Sequence, residues 1–195
     1  MPWPARVGRT WFKWRSFSPV PFFLLMVILP SDFKPEGWAL ALPLVILVAA
    51  EALRIWAVGH AGSATRTRGD TVPELVHAGP YRYVRNPLYI ANIALYSFLG
   101  VACGFYYLSF VTFVVSVLEY VFIVQFEEYV LQRTFGADYQ EFLAKVPRWV
   151  PALTPQISAT RHQFSLGRGI RSEKSTLLCM AAMLALILVK LRLQG

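Results

Sequence analysis

Apolar residues in this chain come in long unbroken blocks rather than at the every-third-or-fourth spacing of a helix with one wet face. One block runs from Trp38 to Val58, a second from Leu88 to Tyr107, a third from Leu108 to Phe126 and a fourth from Ser175 to Val189. A helix that crosses a bilayer core of about 30 Å needs roughly 20 such residues. The second and third blocks abut at Cys103-Gly104, followed by Phe105, Tyr106 and Tyr107. That pattern predicts a tight helical hairpin over 88–126 whose turn sits at a membrane interface, where tyrosine is favoured. A fifth, weaker block covers Phe17 to Pro30. It is short and holds Pro19 and Pro21, which suits a tilted span or a re-entrant segment. It does not read as a secretory leader, because "PSDFKPEG" follows without a small-residue cleavage pattern and another apolar block comes at once.

Composition supports the same class. Of 195 residues, 56% are hydrophobic and 15% charged, against about 25% charged in an ordinary soluble domain. The predicted fold is therefore an all-α polytopic integral membrane protein with about five transmembrane helices. A soluble helical domain is the reading set aside, since four blocks near bilayer length do not suit a water-facing surface.

The formal net charge of +8 changes the picture only through its distribution. With the N-terminus in the cytoplasm and one crossing per block, Arg6, Arg9, Lys13, Arg15, Arg66, Arg68, Arg82, Arg85, Arg133, Lys145, Arg148, Arg161, Arg168, Arg171 and Lys174 all fall on the cytoplasmic side. Lys34, Lys190 and Arg192 fall outside, and Arg54 lies within a span. This is the positive-inside pattern, and it accounts for the basic residues without nucleic acid. Cys103 and Cys179 have no metal-type spacing, and His60, His77 and His162 are scattered, so no metal site is expected.

Between the blocks, residues 1–16 interleave Trp with Arg and Lys, as in a segment lying among lipid headgroups. Residues 17–151 form the membrane core, 152–174 a basic linker, and 175–195 a C-terminal hydrophobic helix. Asp138 is a plausible N-cap for a short helix that Pro147 ends. Two polar stretches, 59–87 and 127–151, emerge on one face and flank the hairpin. An antiparallel hairpin brings its own ends together, so Arg82 to Asn86 should meet Glu127 and Glu128 in a cytoplasmic-facing pocket.

Each piece also has a plain reading. Glu127 and Glu128 could simply end a helix beside Arg133, and Arg82 and Arg85 could be topological anchors. Tyr81, Tyr83 and Tyr89 could belong to an interfacial belt. Asn86 could cap a helix that Pro87 begins. Together they match something sharper: a guanidinium fork for a carboxylate, carboxylates for an ammonium or ribose, and tyrosines for an aromatic base or a cation. S-adenosylmethionine carries all of those groups.

The motifs "GPYRYVRNPLY" (79–89) and "EEYVLQRTFGADYQEFLAKVPRWVP" (127–151) resemble the isoprenylcysteine carboxyl methyltransferase and phospholipid methyltransferase superfamily of integral membrane enzymes, over roughly Trp38 to Pro151. The usual Arg-His-Pro-x-Tyr stands here as Arg85-Asn86-Pro87-Leu88-Tyr89. The glutamate pair stands as Glu127-Glu128, the following motif as Leu131, Phe135 and Gly136, and the closing one as Val146-Pro147-Arg148-Trp149-Val150-Pro151. Asn86 can donate and accept hydrogen bonds but takes no proton near neutrality, unlike the histidine it replaces.

The resemblance implies an S-adenosylmethionine-dependent methyltransferase with a lipophilic or small acceptor, a carboxylate, amine or thiol, reached from the bilayer. It implies Arg82 and Arg85 near the cofactor carboxylate or the acceptor, and Glu127 or Glu128 on the amino group or ribose. Tyr81 and Tyr89 would line the adenine or sulfonium side, with Gly79 allowing close backbone approach. Gly79, Tyr81, Arg82, Arg85, Asn86, Pro87, Tyr89, Glu127 and Glu128 form the expected cofactor site. Arg85, Asn86 and Glu127 are the expected catalytic group. His77 is either a base for an amine or thiol acceptor or an ordinary loop histidine. Two competing readings are a membrane reductase of the sterol-reductase type using NADPH and a non-enzymatic membrane protein of the same architecture. The expected location is an inner or internal membrane with the site facing the cytoplasm.

Overall fold

The computed structural model describes residues 1–33, 35–62, 74–159 and 164–193. Lys34, Arg66, Arg68, Arg161 and His162 lie outside the described residues, as do the side chains of Lys190 and Arg192. Among the described residues there are seven α-helices and one 3-10 turn, with no strand: α1 (Trp3–Trp14), α2 (Val20–Ile28), α3 (Trp38–Ala61), the turn Gly79–Arg82, α4 (Pro87–Ala102), α5 (Tyr106–Phe135), α6 (Ala137–Lys145) and α7 (Leu166–Leu193).

Two of these helices, α3 and α5, are long and apolar enough to cross a membrane. Their outer faces carry exposed Leu42, Val45 and Val48 on α3 and Phe110, Val111 and Phe113 on α5. Water would not tolerate so continuous an apolar belt on a soluble domain; lipid would. The helix α4 is apolar but has only 16 residues, about 24 Å at 1.5 Å per residue.

The segment 17–30 does not make a full helical span. Its helix, α2, has nine residues, about 14 Å, because Pro19 and Pro30 bound it. Turns at residues 15–19 precede it and extended chain from Leu29 follows it. Ser18 lies beside Glu119, Phe23 meets Tyr96, and the amides of Asp32 and Phe33 both donate to the Gly104 carbonyl. Residues 18–33 thus run along α5 from Glu119 to its beginning.

The hairpin is present at its expected turn. Helix α4 ends at Ala102 and α5 begins at Tyr106. Gly104 has φ +80°, and a β-carbon there would lie 1.8 Å from the Phe33 carbonyl oxygen, so the turn needs glycine twice over. Met26, Leu47, Leu95 and Leu99 fill the core between α2, α3 and α4. Helix α1 packs on α5 through Gly8, whose missing side chain admits the Phe122 carbonyl, while Trp3 and Trp11 straddle the Phe122 ring.

Two local readings change. Gly136, at φ +52°, ends α5 and is itself the N-cap of α6, so Asp138 sits inside the first turn of α6 rather than capping it. The last helix starts at Leu166, well inside the stretch 152–174 expected as linker, and it packs along α3.

Candidate functional site

The geometry of the site follows from the two ends of the hairpin. Pro87 opens α4 at its first position, with Asn86 as N-cap. Asn86 makes no capping bond of its own; its Nδ2 donates instead to the Arg148 carbonyl at 3.1 Å. Upstream, the amide of Arg85 donates to the Pro147 carbonyl at 2.9 Å. The amides of Ala152 and Gln156 donate to the carbonyls of Tyr83 and Arg82, both at 2.9 Å. The chain after α6 therefore clasps residues 82–86 along their backbone and fixes them against the end of α5.

Across that clasp the expected charges meet. Arg85 Nη1 donates to Glu128 Oε1 at 2.9 Å. Arg148 approaches the same carboxylate with two donors, Nε to Oε1 at 3.0 Å and Nη2 to Oε2 at 2.5 Å. Glu128 thus sits between two guanidinium groups. Glu127 is held differently: Tyr89 Oη donates to its Oε1 at 2.7 Å. The two adjacent carboxylates are thus held differently, Glu128 by two arginines and Glu127 by a single phenol.

These groups face a cavity of about 160 Å³. Its polar wall is Tyr81, Arg85, Asn86, Tyr89, Glu127 and Glu128, with Pro87 beside them. Its apolar wall comes from several elements, including Phe12 of α1, Leu88 of α4, Phe126 and Val130 of α5, and Phe142 of α6. Burial, and then the nearby Glu127 carboxylate, raise the Tyr81 phenol above its ordinary value. Burial, followed by Glu128, does the same to Tyr139, which also lines the cavity. Both phenols stay protonated at neutral pH.

Two expected residues face elsewhere. Arg82 Nε donates to the Ile157 carbonyl at 2.8 Å and takes no part in the cavity wall. Gly79, at φ +57°, brings its backbone against the His60 ring, 2.5 Å from where a β-carbon would stand. Its glycine serves loop packing. His77 likewise points away: its Nδ1 lies 3.1 Å from the Ser158 carbonyl, and its ring rests on Phe142. Among the described residues no group of histidine, cysteine or carboxylate side chains could hold a metal ion.

Sequence reasoning missed the part played by Arg148 and by Phe12. The first had a usable signal, since a buried Glu128 beside a single arginine leaves carboxylate lone pairs to satisfy. The second had none, because the pattern of α1 says only that it is amphipathic.

One atom of the site bears on what the cavity can hold. Arg85 Nε is buried and has no hydrogen-bond partner. A buried guanidinium N–H left unmade costs stability, so this donor fits an acceptor brought in by a ligand. A carboxylate is the natural acceptor for it. The residues present therefore fit the amino-acid end of S-adenosylmethionine: a free guanidinium donor, the Glu127 carboxylate and an apolar wall for the rest.

The chain is thus all-helical among the described residues, with two helices long and apolar enough to cross a membrane and a cavity at one end of a helix pair. The model of the phospholipid methyltransferase family matches residues 38–138, just over half of the 195-residue chain, and the chain belongs to that family. No curated protein and no solved structure matches it. The matched stretch takes in α3, α4, α5 and the 79–89 motif, and stops short of Arg148, Glu173 and the whole of α7.

Proposed function

We propose that this chain transfers a methyl group from S-adenosylmethionine to a lipophilic acceptor at the membrane. The observation that carries the reading is the cavity itself. It gathers Tyr81, Arg85, Asn86, Tyr89, Glu127 and Glu128 in one wall, with a buried Arg85 donor still unpartnered, in a chain of this family.

When bound, S-adenosylmethionine supplies an electrophilic methyl group on a positively charged sulfur. The chain's own residues bind and align. Arg85 Nε is the donor for the cofactor carboxylate, and its Nη1 is kept in place by Glu128. Glu127, oriented by the Tyr89 hydroxyl, accepts from the amino group or ribose. Tyr81 and Tyr89 offer ring faces to the base or the cation. The apolar wall takes the acceptor's hydrocarbon and keeps water out. Alignment of this kind contributes on the order of 7–11 kcal/mol in well-oriented reactions. A carboxylate acceptor needs no base; an amine or thiol acceptor needs one, and Glu127 is better placed than His77 to take that proton.

The described basic residues Arg85, Arg133, Lys145, Arg148 and Arg168 lie at the same end of the bundle as the cavity. By the positive-inside rule that end faces the cytoplasm, and the opposite end carries the hairpin turn.

Ligand titration of the detergent-solubilised protein tests the reading. S-adenosylhomocysteine should raise the melting temperature by mass action, and NADPH should not. Stabilisation by NADPH, or by neither ligand, rejects it. Incubating lipid extracts with enzyme and isotope-labelled methyl donor, followed by mass spectrometry, identifies the acceptor.

A further inference from the structure

A second buried polar cluster lies inside the bundle, about two helical turns along α3 from the cavity. Glu51 and Arg54 of α3 meet Glu173 of α7 there. Arg54 Nε donates to Glu173 Oε2 at 3.1 Å, and Arg54 Nη2 reaches the same oxygen. Glu51 stands 3.6 Å from Arg54 Nε, and neither of its carboxylate oxygens has a hydrogen-bond partner. Burying an arginine and two carboxyl groups inside the bundle is a poor source of stability, because desolvating each ion costs several kcal/mol. Their arrangement points to a different use.

From Arg54 a chain of contacts leads to the cavity. Arg54 Nη1 donates to Asn92 Oδ1. A guanidinium only donates, so the oxygen end of the Asn92 amide must face it, and the nitrogen end must face the other way. That nitrogen donates to Tyr120 Oη at 3.0 Å. The Tyr120 ring stacks on Tyr89 with centroids 4.5 Å apart and planes at 22°. The Tyr89 hydroxyl donates to Glu127.

We infer that Glu173 of α7 is a positioning residue for the cofactor site, acting through Arg54, Asn92, Tyr120 and Tyr89 on the orientation of Glu127. This rests on the methyltransferase reading above. Glu173 supplies the charge that keeps Arg54 turned toward Asn92. Without it, the remaining carboxylate, Glu51, draws the guanidinium away. Asn92 is then free to turn, and the stacked tyrosines lose the contact that sets their plane. In effect a helix outside the family match completes the site of the matched core.

The experiment is a double-mutant cycle on the full-length protein in detergent, reading the dissociation constant of S-adenosylhomocysteine for wild type, Glu173→Gln, Tyr89→Phe and the double variant. Each single change should weaken binding about tenfold, the effect of losing one well-placed charged or phenolic contact. The double variant should bind within about twofold of Tyr89→Phe alone, because coupled sites do not add. Should Glu173→Gln fail to fold, Tyr120→Phe takes its place: it keeps the stack and deletes the Asn92 contact, and the same non-additivity with Tyr89→Phe is expected. A merely structural Glu173 would lower the melting temperature in both backgrounds yet leave the affinity terms additive. Additive losses, or unchanged affinity in Glu173→Gln, overturn the inference and leave the methyltransferase reading standing. Failure of wild type to bind S-adenosylhomocysteine overturns both.

Discussion

Replacing Glu128 by alanine separates a structural clamp from ordinary surface charge. The substitution removes the acceptor of three hydrogen bonds, one from Arg85 and two from Arg148. The two arginines are not equivalent. The Arg85 side chain is 12% exposed and already carries one unpartnered buried nitrogen, whereas Arg148 is 42% exposed. A buried charge stripped of its partner costs about 3–5 kcal/mol. An ion pair reachable by water is worth at most about 1 kcal/mol. Nearly all of the cost therefore falls on Arg85, and Glu128→Ala should destabilise the protein by about 4 kcal/mol. Arg148→Ala should cost about 1 kcal/mol. Arg85→Ala leaves Glu128 with Arg148, so it should cost about 2 kcal/mol, the value of a charged hydrogen bond.

The decisive protein is the double variant Arg85→Ala/Glu128→Ala. It removes the stranded cation together with its partner, and should cost about 3 kcal/mol rather than the roughly 6 kcal/mol of the summed singles. Equilibrium unfolding of the four proteins in mixed micelles measures this directly. Additivity to within about 0.5 kcal/mol would show that the pair is not a desolvated unit. A Glu128→Ala cost below about 1 kcal/mol would show that Arg85 is hydrated, and the reasoning would fall.

Three further outcomes can be checked. Because burial raises the Tyr81 and Tyr139 phenols, stability should be full below about pH 10, the ordinary tyrosine value. It should fall as pH rises from there toward the raised native values, since only the unfolded chain releases those protons; Tyr81→Phe and Tyr139→Phe should flatten the decline in alkaline unfolding curves. Gly104→Ala should cost the more, because it combines a positive φ with a carbonyl in the way, whereas Gly136→Ala, with open space around it, should cost only the strain of its own backbone (φ +52°, ψ −117°), on the order of 1–3 kcal/mol; melting temperatures rank the two. His77→Ala should leave S-adenosylhomocysteine affinity unchanged in a binding titration, because His77 faces Ser158 rather than the cavity.

Much of this arrangement is legible in the residues, for identifiable reasons. Hairpin geometry is a local property: two apolar blocks joined by Cys103-Gly104 must fold back, so the meeting of Arg85 with Glu128 could be read without knowing any packing. What escaped reading depended on long-range contacts. Residues 18–33 look like a short span because hydropathy cannot report that the helix they form, between Pro19 and Pro30, is only nine residues long. The start of α7 at Leu166 was hidden by basic, Ser- and Gly-rich sequence that reads as linker. It is held helical by packing, as where Gly169 sits against the Ile55 carbonyl. Arg82 and Gly79 share a motif with Arg85, yet one backbone turn sends them to Ile157 and His60. Proximity in sequence fixes who is near the site, not who faces it.

That distinction bears on why the family match stops where it does. The 79–89 motif, α4 and α5 supply the cavity's polar wall, and the matched stretch contains them together with α3. By themselves they leave Glu128 with one arginine, Arg54 without Glu173 and the cavity without Phe12. The missing partners come from three separate pieces: Arg148 beyond α6, Glu173 on α7 and Phe12 on α1. Each meets an unsatisfied feature of the matched core: a carboxylate's remaining lone pairs, a buried guanidinium, an open apolar wall. Such features are costly when left open, so a core of this kind constrains what surrounds it in chemistry more than in sequence. Flanking segments can then diverge beyond recognition provided each still delivers a cation, an anion or a ring to the same place.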